Sequence, residues 1–154
     1  MHVTSSKRLL LVAATSVTLA LSLSAVAAAS PLKTPVIKEN FTKLPCNHKT
    51  TLGLEGCAEG QLVSADHQIN LQVALVLTSM STNSQKADFV KAENLWFAFR
   101  GADCMSVSAT YQGGSLAPVE FARCEVRDDA LRSAALHSQY QLMEQDNSSA
   151  PAWP

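Results

Sequence analysis

The stretch CAEGQLVSADHQINLQVALVLTSM, residues 57–80, decides the architecture. Its apolar positions Ala58, Leu62, Ala65, Ile69, Val73, Val76 and Met80 recur at steps of three and four, the spacing that keeps side chains on one face of an α-helix. The polar run Ser79, Ser81, Thr82, Asn83 and Ser84 ends that helix. Two residues interrupt its apolar face. Asp66 falls within the arc of Leu62, Ile69, Val73 and Leu77, and Asn70 falls beside it.

Downstream, the pattern predicts a second helix over about residues 85–111, burying Phe89, Ala92, Trp96, Phe99 and Val107. Gly113-Gly114-Ser115 breaks the chain. Ser115 is placed to cap a third helix with Pro118 in its first turn, running to about Met143 and burying Phe121, Cys124, Leu131, Ala135 and Leu142. A connection this short makes the second and third helices antiparallel neighbours. Strand-type alternation is almost absent, so the fold class is all-α, a small bundle of three main helices. Upstream, residues 30–56 carry Pro31, Pro35, Pro45, Gly53 and Gly56 without a sustained period and read as an irregular N-terminal arm. The helical domain spans residues 57–144. Residues 145–154, with Asp146-Asn147-Ser148-Ser149-Ala150-Pro151, have nothing to bury and read as a disordered tail.

Residues 9–29 hold sixteen apolar side chains of twenty-one, carry no charge and follow Lys7 and Arg8. This is the pattern of a secretory signal peptide, residues 1–29, with small residues placing cleavage after Ala29 or, alternatively, Ala27. The run is diluted by Thr15, Ser16, Thr18, Ser22 and Ser24, and no Cys follows the cleavage point. The product is expected to be periplasmic or secreted, without a membrane or lipid anchor. Cleavage removes two bases and no acid, leaving 10 Lys+Arg against 13 Asp+Glu, a net charge of -3. Without a basic excess to neutralise phosphates, a nucleic-acid partner is disfavoured.

All four cysteines, Cys46, Cys57, Cys104 and Cys124, lie in the exported part, where disulfides form and persist. Of the three possible connectivities we favour Cys46–Cys57 and Cys104–Cys124. Cys104 precedes the Gly-Gly-Ser turn by nine residues and Cys124 follows it by about as many, so the antiparallel helices bring them level; the other bridge would pin the arm. The gaps lack the close pairs of a structural zinc site, and His48, His67 and His137 add none. Neither a metal nor a cofactor is expected.

On the second helix Arg100 and Asp103 also turn toward the buried side. An isolated buried ion costs several kcal/mol, so charges on an apolar face persist when paired. Asp66, Asn70, Arg100 and Asp103 are therefore expected to form a structural network clamping the first two helices. A glycosidase-type pair of carboxylates would need a sugar cleft that a domain of this size hardly accommodates. With the thiols oxidised, no G-x-S-x-G elbow and no Gly-Lys-Ser/Thr phosphate loop, an enzyme is not expected.

Trp96-Phe97-Ala98-Phe99-Arg100-Gly101-Ala102-Asp103-Cys104, then Tyr111-Gln112-Gly113-Gly114-Ser115-Leu116-Ala117-Pro118, then Cys124, Arg132 and Leu136 together resemble the LprI-like domain, a small secreted bacterial module named after a lysozyme inhibitor. Cys57-Ala58-Glu59 with Asp66 and Asn70 is similar to that family's first helix, and the likeness covers about residues 46–137. Val73 stands where the family commonly has Tyr, and Gly101 and Asp129 replace its usual Asp and Thr. The resemblance implies a helical, disulfide-bonded extracytoplasmic domain without catalytic residues, and a lysozyme-type muramidase as partner. An envelope accessory, adhesion or assembly domain, or a binder of peptidoglycan fragments, stays open beside it. The candidate contact surface is the uncharged turn Tyr111, Gln112, Gly113, Gly114 and Ser115, narrow enough to enter a muramidase cleft, while the acidic balance would speed encounter with a basic partner.

Overall fold

A computed structural model describes residues 32–145 and 151–154. The expected signal peptide and half of the expected tail, residues 146–150, lie outside the described residues. Three helices follow an extended arm: α1 (Thr51–Ser79), α2 (Asn83–Ala109) and α3 (Ala117–Glu144). Among the described residues there is no strand, and no helix is long and apolar enough to cross a membrane. Disulfides join Cys46 to Cys57 and Cys104 to Cys124.

Helix α1 starts six residues earlier than its apolar stripe suggests. Thr50 caps it, its hydroxyl accepting from the Gly53 amide at 3.0 Å. Gly53 and Gly56 lie within the helix rather than in the arm, because the arm packs onto them. A Cβ at Gly56 would stand 2.9 Å from the carbonyl oxygens of Leu44 and Pro45. Three residues after α1, a capping box opens α2: the Gln85 amide donates to the Thr82 hydroxyl, and the Thr82 amide donates to Oε1 of Gln85. At the next turn Gln112 and Gly113 adopt positive φ, 51° and 73°. Ser115 does not cap α3. The capping position is Leu116, without a side-chain hydrogen bond, and Pro118 in the first turn has no amide to satisfy.

Helix α3 packs extensively on α1 and less on α2, while α1 and α2 barely touch. Two apolar clusters result. Ala58, Leu62, Val119 and Ala122 meet at the end nearest the α2–α3 turn. Ile69, Val73, Val76, Leu136 and Tyr140 form the other cluster, with Phe89 from α2 and Ile37 from the arm. Each large aliphatic side chain buried there stabilises the fold by roughly 1.5–3 kcal/mol.

The buried faces of α2 and α3 are rotated from those expected. On α2 the buried residues are Phe89, Glu93, Arg100 and Cys104, whereas Ala92 and Phe99 are exposed. On α3 Leu131, Ala135 and Leu142 face outward, and Ala122, Glu125, Asp129, Leu136 and Tyr140 face in. Charged residues take core positions on both helices, which displaces the apolar ones. The chain end also differs from a tail with nothing to bury: Trp153 stacks on His137, with ring centroids 4.8 Å apart, and the Tyr140 hydroxyl donates to the Pro151 carbonyl.

Candidate functional site

Between the two apolar clusters lies a charged layer centred on Arg100. Its Nη1 donates to Asp66 at 2.6 Å and to Asp129 at 2.7 Å, and its Nη2 to Glu39 at 2.7 Å. Glu125 Oε1 stands 3.4 Å from Nε, an ion pair without an aligned hydrogen bond. The arm, α1, α2 and α3 each contribute, and only Glu39 keeps appreciable exposure.

One guanidinium faces four carboxylates. Burial pushes Glu125 up to about 7, with Arg100 opposing the shift and Glu39, Asp66 and Asp129 adding to it. Burial also raises Asp129, against its hydrogen bond to Arg100. Glu39 rises through burial and the neighbouring Asp66. Burial alone would lower Arg100, but hydrogen bonds to Asp66 and Asp129 lift it above its ordinary value, so it stays charged. One oxygen each of Asp66, Glu125 and Asp129 is buried without a partner among the described residues.

The four residues expected to form one network are divided. Arg100 and Asp66 meet. Asn70 instead clamps the arm, accepting from the Ile37 amide at 2.8 Å and donating to its carbonyl at 2.9 Å. Asp103 lies away from Arg100's carboxylates and faces Arg127 at 3.5 Å at the helix edge. Glu39, Glu125 and Asp129 complete the layer in its place. Their positions carry a partial signal: Glu125 and Asp129 are four residues apart and share a helix face, whereas Glu39 sits in a segment without periodicity. A second buried pair, Glu93 with Arg132, was equally silent in the sequence. Both arginines approach Trp96, at 5.8 and 5.9 Å from its ring centroid.

The arrangement suits holding helices together more than chemistry. The carboxylates are shut in around a guanidinium, and the layer leaves Glu39 as its most accessible member. Two groups of potential metal ligands occur among the described residues, Cys46/His48/Cys57 and Asp103/Cys104/Cys124/Asp128, but each contains a disulfide, whose sulfurs are not thiolates. The turn Tyr111–Ser115 stands at the end of α2, exposed along its length and closed by a 2.8 Å hydrogen bond from the Gly114 amide to the Tyr111 carbonyl.

These features define a class: a helical, disulfide-stapled domain whose most polar assembly serves its own packing. Over residues 46–147 the chain matches the family described as Lysozyme inhibitor LprI, and it belongs to that family. No curated protein and no solved structure matches it.

Proposed function

We propose that this chain is an exported, non-catalytic protein that binds and inhibits a lysozyme-type muramidase. The observation that carries this reading is the family match, which runs from the first cysteine through the whole of α3. The acidic balance of 10 bases to 13 acids beyond residue 29 favours encounter with a basic partner. Tyr111, Gln112, Gly113, Gly114 and Ser115 form the proposed contact: an exposed, uncharged protrusion that enters the enzyme's cleft without placing carboxylate against carboxylate. Export follows from the sequence of residues 1–29.

Lysis of a peptidoglycan suspension by a panel of muramidases tests this. The oxidised protein should slow at least one enzyme, and Tyr111→Ala and Ser115→Glu, which sets a carboxylate against the cleft's own, should weaken that effect while remaining folded. No inhibition of any muramidase type overturns the function; inhibition indifferent to both variants removes the turn from the contact.

A further inference from the structure

The arm and the first half of α1 enclose an open groove of about 580 Å³. Its walls are Phe41, Leu44 and Pro45 on the arm and Gly56, Gly60 and Val63 on α1, with Glu39, Glu59 and the exposed Lys43 supplying the charges. The groove is held open at both ends. The Asn70 clamp on Ile37 and the Glu39–Arg100 ion pair fix one end, and the Cys46–Cys57 disulfide fixes the other. Such preformed walls spare a ligand the entropy of ordering them.

Three observations indicate what fits there. First, the space beside Gly60 is open: the residue lines the groove, and a Cβ built there meets nothing within 4 Å, so no side chain of the protein's own fills that part of the trough. Second, residues 38–46 make no backbone hydrogen bond to any other described residue. The Leu44 and Pro45 carbonyls face Gly56, but from Lys38 to Lys43 the extended arm leaves amides and carbonyls unpaired beside an apolar trough, the arrangement that receives a further extended strand. Third, the Glu39 and Glu59 carboxylates are partly desolvated, and Glu55 adds repulsion at Glu59. A cation in the groove relieves that cost at either carboxylate.

We infer that the groove is a docking site for an extended segment of a partner protein, which lays an apolar side chain against Phe41 and Val63 and a Lys or Arg against Glu39 and Glu59. Assigning that segment to a muramidase rests on the function proposed above, whereas the groove's preference for a cationic, apolar strand does not. The groove and the Tyr111–Ser115 turn lie toward the same end of the bundle, since Ala58 and Leu62 of α1 pack on Val119 and Ala122 just after the turn, with Phe41 against them.

The test is a titration of the oxidised, isotope-labelled protein with a capped Lys-Leu-Lys-Leu peptide and with its Glu-Leu-Glu-Leu counterpart, followed by amide chemical shifts. Saturable shifts should centre on residues 41–46 and on Gly56, Gly60 and Val63 with the basic peptide alone. Gly60→Trp should weaken binding at least about tenfold and Glu59→Gln severalfold, while Gly60→Ala, which adds only a methyl group, should bind nearly as wild type. Absent or scattered shifts, or equal binding of the acidic peptide, overturn the proposal. In the lysis assay, loss of inhibition by Gly60→Trp supports assigning the segment to a muramidase, and full retention overturns that assignment. A wild type that inhibits nothing retires the function above, and the titration still decides the groove.

Discussion

Two arginines approach the Trp96 ring from charged clusters of very different make-up. Arg132 meets a single buried carboxylate, Glu93, and keeps 21% of its own side-chain surface in contact with solvent. Arg100, 3% exposed, meets Glu39, Asp66, Glu125 and Asp129. The first cluster is neutral and joins two helices. The second has a formal excess of three negative charges and joins three helices to the arm. An interior cannot hold that excess fully ionised, so part of it is removed by proton binding. The balanced pair gives cohesion that depends little on conditions, while the overloaded cluster makes cohesion a function of pH.

Arg100→Ala is the hardest blow to this picture. Removing one member of a buried ionic assembly typically costs about 3–5 kcal/mol, and here several carboxylates lose their only cation. Denaturant unfolding should show a loss of that size near neutral pH. Arg100→Lys should recover little, because Nη1 and Nη2 reach different carboxylates and a single ammonium cannot reproduce the fork. An effect no larger than that of Arg132→Ala would erase the distinction between the clusters.

The next largest effect is on pH dependence. Glu125 is pushed up to about 7 from its ordinary 4.5, so the folded protein keeps a proton that the unfolded chain releases. Its stabilising contribution is complete below about pH 4.5 and is lost as pH rises through about 7, an effect on the order of 3 kcal/mol. Glu125→Gln imitates the protonated form. It should match wild type near pH 5 and exceed it at pH 8; a variant weaker than wild type at pH 8 would refute the excess-charge account. Glu93→Gln should behave otherwise, losing about 1–3 kcal/mol at both pH values, with Arg132 escaping part of the cost through its exposed side.

The same contrast explains what was legible in the sequence. The stripe of α1 is apolar apart from Asp66, so its period announces both the helix and its buried face. The cysteines were legible as well, because equal spacing about a tight turn brings Cys104 and Cys124 level. On α2 and α3 a search for apolar periodicity finds Phe99, Leu131, Ala135 and Leu142, which are exposed, since Glu93, Arg100, Glu125 and Asp129 hold the inward positions. A wheel places Asp103 near Arg100, but only the packing of α3 shows that Glu125 and Asp129 fill that side. Glu39 and Trp153 had no periodic context to reveal them, because an extended segment is positioned by what it docks against.

The smallest expected effect sharpens the comparison most, because it separates the arm from the helices that share its arginine. Glu39 keeps 24% of its side-chain surface exposed, and without it Arg100 retains Asp66 and Asp129 while the cluster's excess negative charge falls by one. Glu39→Gln should therefore change global stability by no more than about 1 kcal/mol. Locally the effect differs. Between the Asn70 clamp and the Cys46–Cys57 disulfide, no backbone hydrogen bond ties the arm to other described residues, so the ion pair is the main polar restraint on that span. Trypsin cleavage after the exposed Lys43, whose flanking residues the substitution leaves unchanged, should become severalfold faster in Glu39→Gln while the melting temperature hardly moves, the mark of local opening rather than global unfolding. Unchanged cleavage with a large fall in melting temperature would show that the arm belongs to the same cooperative unit as the buried carboxylates, and that the cluster is one indivisible lock.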